Sequence, residues 1–185
     1  MKVSKQQVQA NRAHIVKTAS ELFRARGFDG IGVAELMSAA GFTHGGFYKH
    51  FQSKADLMTE AVAGGFSQAA AQLKGADKEA FIADYLSHRH RDSMATGCMM
   101  AALGADTARQ PDEVKQAFAA GLENQLAALT TESGQAASDR AELITTIAQM
   151  VGAMVLSRAC PDDDPLAEEI LQVCRAHILN KPAGG

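Results

Sequence analysis

The chain has 185 residues, 46% apolar and 21% charged, enough for a buried core beneath a polar surface. It has no apolar run of about 18 residues that would span a membrane. Its charged first thirty residues lack the apolar centre of a secretory leader, so a soluble cytoplasmic protein with no membrane partner is expected. The net charge of −3 is unevenly spread: residues 1–60 carry eight Lys/Arg against five Asp/Glu, and the remaining 125 are net −6. A basic end on an acidic body suits contact with a polyanion through that end. Three cysteines (Cys98, Cys160, Cys174) without a CxxC spacing exclude a disulfide framework or zinc ribbon and fit reduced thiols.

Strand-like alternation is almost absent, and helical periodicity runs through the chain. The spacing of Ile15, Ala19, Leu22 and Phe23 predicts a helix over 6–26 with one buried face, closed by Gly27. Lys2, Lys5 and Arg12 form either a basic arm or, in the first five residues, a disordered tail. A short helix over 33–40 presents Val33, Leu36 and Met37 and stops at Gly41. The next begins with Thr43 as its cap and runs to about His50. Ser53 and Asp56 then read as a capping-box-like start for a longer helix carrying Leu57, Met58, Ala61, Val62, Phe66 and Leu73. Gly64 and Gly65 are expected to kink it.

Residues 74–77 read as a hinge. Five helices follow, at about 78–88, 98–109, 111–132, 138–159 and 164–179. Breaks fall at Gln110–Pro111–Asp112, at Ser133–Gly134–Gln135 and at the proline-flanked acidic run 161–165. Pro111 and Pro165 suit a first helical turn. The polar stretch 88–97 reads as a loop.

The most informative segment is IGVAELMSAAGFTHGGFYKHFQSKADL, residues 31–57. Two short helices meet at Gly41–Phe42–Thr43: the glycine permits a sharp turn, Phe42 fills the angle, and Thr43 opens the second helix. This is the specification of a helix-turn-helix, whose second helix enters the DNA major groove. Phe42, Phe47, Phe51 and Leu57 read as its core. The run A-G-F-T-H-G-G-F-Y-K-H-F-x-S-K-x-x-L resembles the signature of the TetR family of transcriptional repressors, closely over about 50 residues. Gly32 departs from that pattern, standing where the family commonly has a capping Thr.

The resemblance implies an all-α protein: a three-helix DNA-binding domain over 1–52, then a helical ligand-binding and dimerisation domain over 53–185. Thr43 and His44 are expected to reach phosphates or base edges, and Gly45 and Gly46 to admit DNA close to the backbone. Tyr48 matches the family's phosphate-contacting tyrosine. Lys49 and His50 extend the basic face, and Lys54 holds a phosphate together with helix amides. His44 and Lys49 would carry sequence discrimination. The structural alternatives are a packed Tyr48, a His50 that only bridges helices, and a merely solvated Lys49. His14 reads as a surface residue.

In the body, Leu143, Ile147, Val151 and Met154, with Ile170 and Cys174 on the last helix, form the expected homodimer face. Residues 138–159 are apolar over more than one stripe, which requires burial on both sides. The alternative is an interior helix pair within a monomer. Phe81, Tyr85, Met94, Cys98, Met99, Leu103, Phe118, Leu122 and Met150 are the candidate pocket for a small-molecule inducer, against the alternative of a filled core. Cys98, at the start of a helix and near His88, Arg89, His90 and Arg91, suggests an oxidant or electrophile sensor, against an inert thiol. No cofactor motif occurs. A metal-dependent enzyme would need His88, His90, Cys98 and a missing fourth ligand, and HExxH, GxSxG and glycine-rich phosphate loops are absent. A helical interaction module with a vestigial helix-turn-helix is the third class.

Overall fold

A computed structural model describes residues 4–73, 77–133 and 138–180. Lys2, most of the expected hinge (74–76) and the expected turn residues Gly134 and Gln135 lie outside them. Among the described residues there are nine α-helices and no strand. They are α1 (Lys5–Arg26), α2 (Val33–Ala39), α3 (Lys54–Leu73), α4 (Lys78–Tyr85), α5 (His88–Asp92), α6 (Met99–Thr107), α7 (Asp112–Ser133), α8 (Ser138–Ala159) and α9 (Pro165–Leu179). Short 3-10 turns occupy His44–Lys49 and Met94–Thr96.

Local chemistry sets most boundaries. The Ser4 hydroxyl accepts the Gln7 N–H at 3.1 Å, so Lys5 is already helical and not part of a loose arm. Gly27 (φ 74°) ends α1, its N–H returning to the Phe23 carbonyl. After α2 the Gly41 N–H bonds to the Ser38 carbonyl and the Phe42 N–H to that of Met37, a double closure that needs the positive φ (79°) of Gly41. Ser53 accepts the Asp56 N–H, and the Asp56 carboxylate accepts that of Gln52, both at 3.0 Å. Asp164 caps α9, with Pro165 in its first turn.

Two apolar cores result. The first joins α1, α2, the His44–Lys49 turn and the start of α3 around Ile15, Phe23, Phe28, Leu36, Phe47, Phe51 and Leu57, all nearly or fully buried. It continues along α3 to Phe66, Met99, Leu103 and Val114. The second gathers Ile82, Leu86, Met150, Met154 and Leu171 from α4, α8 and α9.

α3 runs through Gly64 and Gly65 without a break, and Gly65 allows close packing: a Cβ there would stand 2.1 Å from the Met99 methyl. One expectation fails here. The stretch 88–97 is α5 and a 3-10 turn, not a loop. The Ser87 hydroxyl caps α5, and long-range contacts fix it, which no local pattern announces. The buried Arg91 guanidinium donates to the Ser157 and Cys160 carbonyls and to Asp162. Arg158 donates to the carbonyls of His90 and Arg91.

Candidate nucleic-acid interface and cavity

The His44–Lys49 turn is anchored from beneath and open above. Phe47 is buried, stacked near Phe51 at 5.5 Å between ring centroids. Thr43, His44, Gly45, Tyr48 and Lys49 are exposed on the outer side. Tyr48 is 69% exposed, with its ring edge-on to Phe47, so a packed tyrosine is ruled out. The Thr43 side chain makes no capping bond, contrary to expectation; its carbonyl accepts the Gly46 N–H, and the hydroxyl is left for an outside partner. A side chain at Gly45 would meet nothing within 4 Å, so nothing inside the chain demands a glycine there.

His50 is half-buried between Phe42 and Phe51, and its Nδ1 is buried without a partner. Burial, then the Arg12 and Lys49 charges, lower its pKa, so the ring is neutral near pH 7. Arg12 pairs with Glu60 and lies over the Phe51 ring, which takes it out of any basic arm. Lys54 also turns inward: its ammonium donates to the Phe28 carbonyl at 2.5 Å. The start of α3 is already capped by Ser53. Lys54 therefore braces the start of α3 against the segment after α1.

A cavity of about 960 Å³ opens between α3, α4, α7, α8 and the 93–98 segment. Of the expected lining, Phe81, Tyr85, Cys98, Met99 and Met150 are there. Met94 is not: it is 44% exposed on the surface. Leu103 is fully buried in the first core. Phe118 packs edge-to-face on Phe66 at 5.1 Å, and Leu122 packs on that same core. Leu143, Ile147 and Val151, expected at a dimer face, line the cavity instead. Met154 is fully buried, and Ile170 and Cys174 pack against the second core. The large apolar side chains left outside on these helices are Ile144, Val155 and Leu156 on α8 and Leu166, Val173 and Leu179 on α9. Gly152 beside them is open to close approach.

Two polar atoms of the lining residues are buried without partners: the Tyr85 hydroxyl and Gln125 Oε1. Burial, reinforced by the neighbouring Cys98 thiol, lifts the Tyr85 pKa well above its ordinary value. His90 holds this corner together. Its Nδ1 lies 2.7 Å from the Tyr85 carbonyl, and its Nε2 accepts the Cys98 N–H at 3.0 Å, so Nδ1 carries the proton. Burial lowers the His90 pKa despite the Tyr85 carbonyl, helped by Arg158 and Arg89. His88 instead pairs with Glu168 on α9. No three His, Cys, Asp or Glu side chains among the described residues converge as a metal site. No helix there is long and apolar enough to cross a membrane.

Among the lining residues that sequence reasoning did not place there are Gln125 and Arg24. Gln125 gives no local signal. Arg24 did give one: with Ser20 it is a polar pair four residues apart on the flank of the apolar stripe of α1, and both are buried.

The family profile for bacterial regulatory proteins of the tetR family matches residues 15–61, and that for the tetracyclin repressor-like C-terminal domain matches 75–173. The transcriptional regulator AcrR of Shigella flexneri is 40% identical over 57 residues, 31% of this chain and 26% of that protein. The transcriptional repressor NemR of Escherichia coli K12 is 26% identical over 129 residues, 64% of this chain and 65% of that protein. The chain thus spans less than two thirds of either relative. The fold is similar to that of the reduced form of E. coli NemR, with a TM-score of 0.74 at 21% identity over 92% of this chain and 96% of that one. It is also similar to a TetR-family regulator from Agrobacterium tumefaciens, with a TM-score of 0.70 at 21% identity, covering 92% and 98%. With one family profile spanning more than half of its length and the other its helix-turn-helix, the chain belongs to the TetR family of bacterial regulatory proteins.

Proposed function

We propose that this chain is a homodimeric transcriptional repressor that holds a near-palindromic DNA operator and releases it when a small molecule fills the cavity. The observation that carries the reading is the exposed outer side of the His44–Lys49 turn, held on a closed aromatic core. Thr43, His44, Tyr48 and Lys49 reach phosphates and base edges, and Gly45 and Gly46 admit the backbone of the DNA, while His50, its Nδ1 buried, supports the turn from within. Residues 1–52 serve as the reading module, and 53–185 as the regulatory and dimerisation body. Similarity to NemR and AcrR, named as a repressor and a regulator, supports this.

Two modules one DNA turn apart need a twofold interface. The exposed apolar faces of α8 and α9, around Val155, Leu156, Leu166 and Val173, supply it as an intersubunit four-helix bundle. The inducer is an apolar molecule with a hydroxyl group, which can donate to Gln125 Oε1 and accept from the Tyr85 hydroxyl, since buried polar atoms without partners destabilise the empty site. Catalysis has no support from the site, and a regulator without enzymatic activity is the reading.

Footprinting upstream DNA across a salt series tests the reading. Affinity falls steeply as salt rises, because phosphate contacts release counterions. A flat dependence, or full affinity after Tyr48→Ala, defeats it.

A second reading concerns the signal. Cys98 sits on the cavity wall beside the unpaired Tyr85 hydroxyl, and the structural relative was solved in a form described as reduced. An oxidant or electrophile that modifies Cys98 would then trigger release. Loss of the response in Cys98→Ser, with operator affinity intact, separates this from reversible binding.

A further inference from the structure

We infer that Arg24 is the latch through which the cavity wall sets the position of the DNA-reading module; this rests on the DNA-binding reading above. Arg24 lies in the last turn of α1, whose apolar face shares one core with the recognition turn, and its side chain lines the cavity. Its Nε donates to the Ala95 carbonyl at 2.7 Å and its Nη1 to the Gly97 carbonyl at 3.4 Å. One cation of the first half thus grips the segment between α5 and α6 by two backbone oxygens more than 70 residues away.

That segment has little slack. Added to Gly97, a Cβ would stand 2.8 Å from the Ser93 carbonyl, 3.0 Å from His90 Nε2 and 3.1 Å from Arg158 Nη2. Immediately after it, the Cys98 N–H is held by His90. Thr96, Gly97 and Cys98 line the same cavity as Arg24, so the wall that meets an occupant is the wall the arginine holds. A second tie sits close by, where the Asp106 carboxylate at the end of α6 accepts the Phe28 N–H at 3.3 Å. Burial lowers the Arg24 pKa, but an arginine stays charged, so the grip holds across the physiological pH range. When an occupant displaces 95–97, the end of α1 must follow or lose both bonds. With the latch intact it follows, and the paired recognition turns leave register.

A double-mutant cycle tests this without knowing the inducer. The probe is a duplex selected from a random pool by the wild-type protein. Gly97→Ala displaces the segment from within and lowers affinity for that duplex by about tenfold, within the range usual for linked sites. In an Arg24→Met background the same change lowers it less than about threefold, because the direct grip on 95–97 is gone and only the Asp106–Phe28 tie and packing remain. Melting curves confirm that each variant folds. If Gly97→Ala does not fold, iodoacetamide at Cys98, in a Cys160→Ser, Cys174→Ser chain, perturbs the same segment. Equal losses in both backgrounds overturn the latch while leaving DNA binding intact, as does no loss in either. Failure to recover any duplex removes the DNA-binding reading itself, and the latch with it.

Discussion

The two ends of this molecule are built to opposite specifications. The reading module is closed inside and open outside: Phe23, Phe28, Phe47 and Phe51 fill its centre, while Tyr48 stands in solvent. The second half carries a cavity open to one side, with the Tyr85 and Gln125 polar atoms unpaired at its wall and apolar side chains of α8 and α9 bare on the outside. A module that must hold one shape against DNA is packed to one answer. On the proposed function, a body that responds to a ligand and a second subunit keeps surfaces that are satisfied only when those arrive.

The largest expected effect probes that difference directly. Phe47→Ala, in the closed core, destabilises by about 3–5 kcal/mol, whereas Met150→Ala on the cavity wall loses about 2 kcal/mol, because fewer packed neighbours are lost. Urea unfolding of the two variants decides it, and equal losses erase the contrast. Next, Tyr48→Phe leaves the melting temperature unchanged but removes a hydrogen bond to a charged phosphate, worth about 1.5–3 kcal/mol. A binding isotherm then shows an operator affinity at least about tenfold weaker, while Lys49→Ala reduces the slope of log affinity against log salt by about one. An altered melting temperature in Tyr48→Phe would mean that the ring supports the core.

Tyr85→Phe reverses the usual sign. Its hydroxyl is buried without a partner, so removing it leaves stability unchanged or raises it by up to about 1 kcal/mol. A loss larger than that in the same unfolding assay would show that the hydroxyl is bonded in the ligand-free protein. The smallest effect is pH dependence. His50 and His90 both have lowered pKa values in the folded chain, so the unfolded chain takes up their protons first. Their stabilising contribution is complete above the ordinary histidine value of about 6.5 and declines as pH falls below it towards the folded values. Melting temperatures between pH 8 and 5 should fall on acidification, less so in His90→Gln. A rise would show that a protonated histidine is stabilised by a partner.

The reading module was legible because its rules are local. Gly41 at a positive φ, Ser53 with Asp56, and the spacing of Ile15, Ala19 and Phe23 act within a few residues, and each took its expected place. Errors there were about direction: Lys54 and Arg12 are surface cations by type, yet both turn inward to partners distant in sequence. In the body the same kind of reading found the long helices but misassigned their faces. Residues 138–159 are apolar nearly all round, so periodicity required burial on several sides without saying which side meets the cavity, α9 or solvent. Leu143, Ile147 and Val151 accordingly moved from an expected subunit contact to the cavity wall.

By itself, then, the amino-acid order determined most helix boundaries, α5 excepted, together with the helix-turn-helix and the exposed groups that open it, since caps, turns and one-sided periodicity depend on neighbours within about a helical turn. Tertiary structure alone decided where the hollow lies, which atoms face it unpaired, and that Arg24 reaches across to Ala95 and Gly97. Those features come from bringing together segments tens of residues apart, and chain order marks at most one side of that closure, as in the Ser20–Arg24 pair, never the partner it meets.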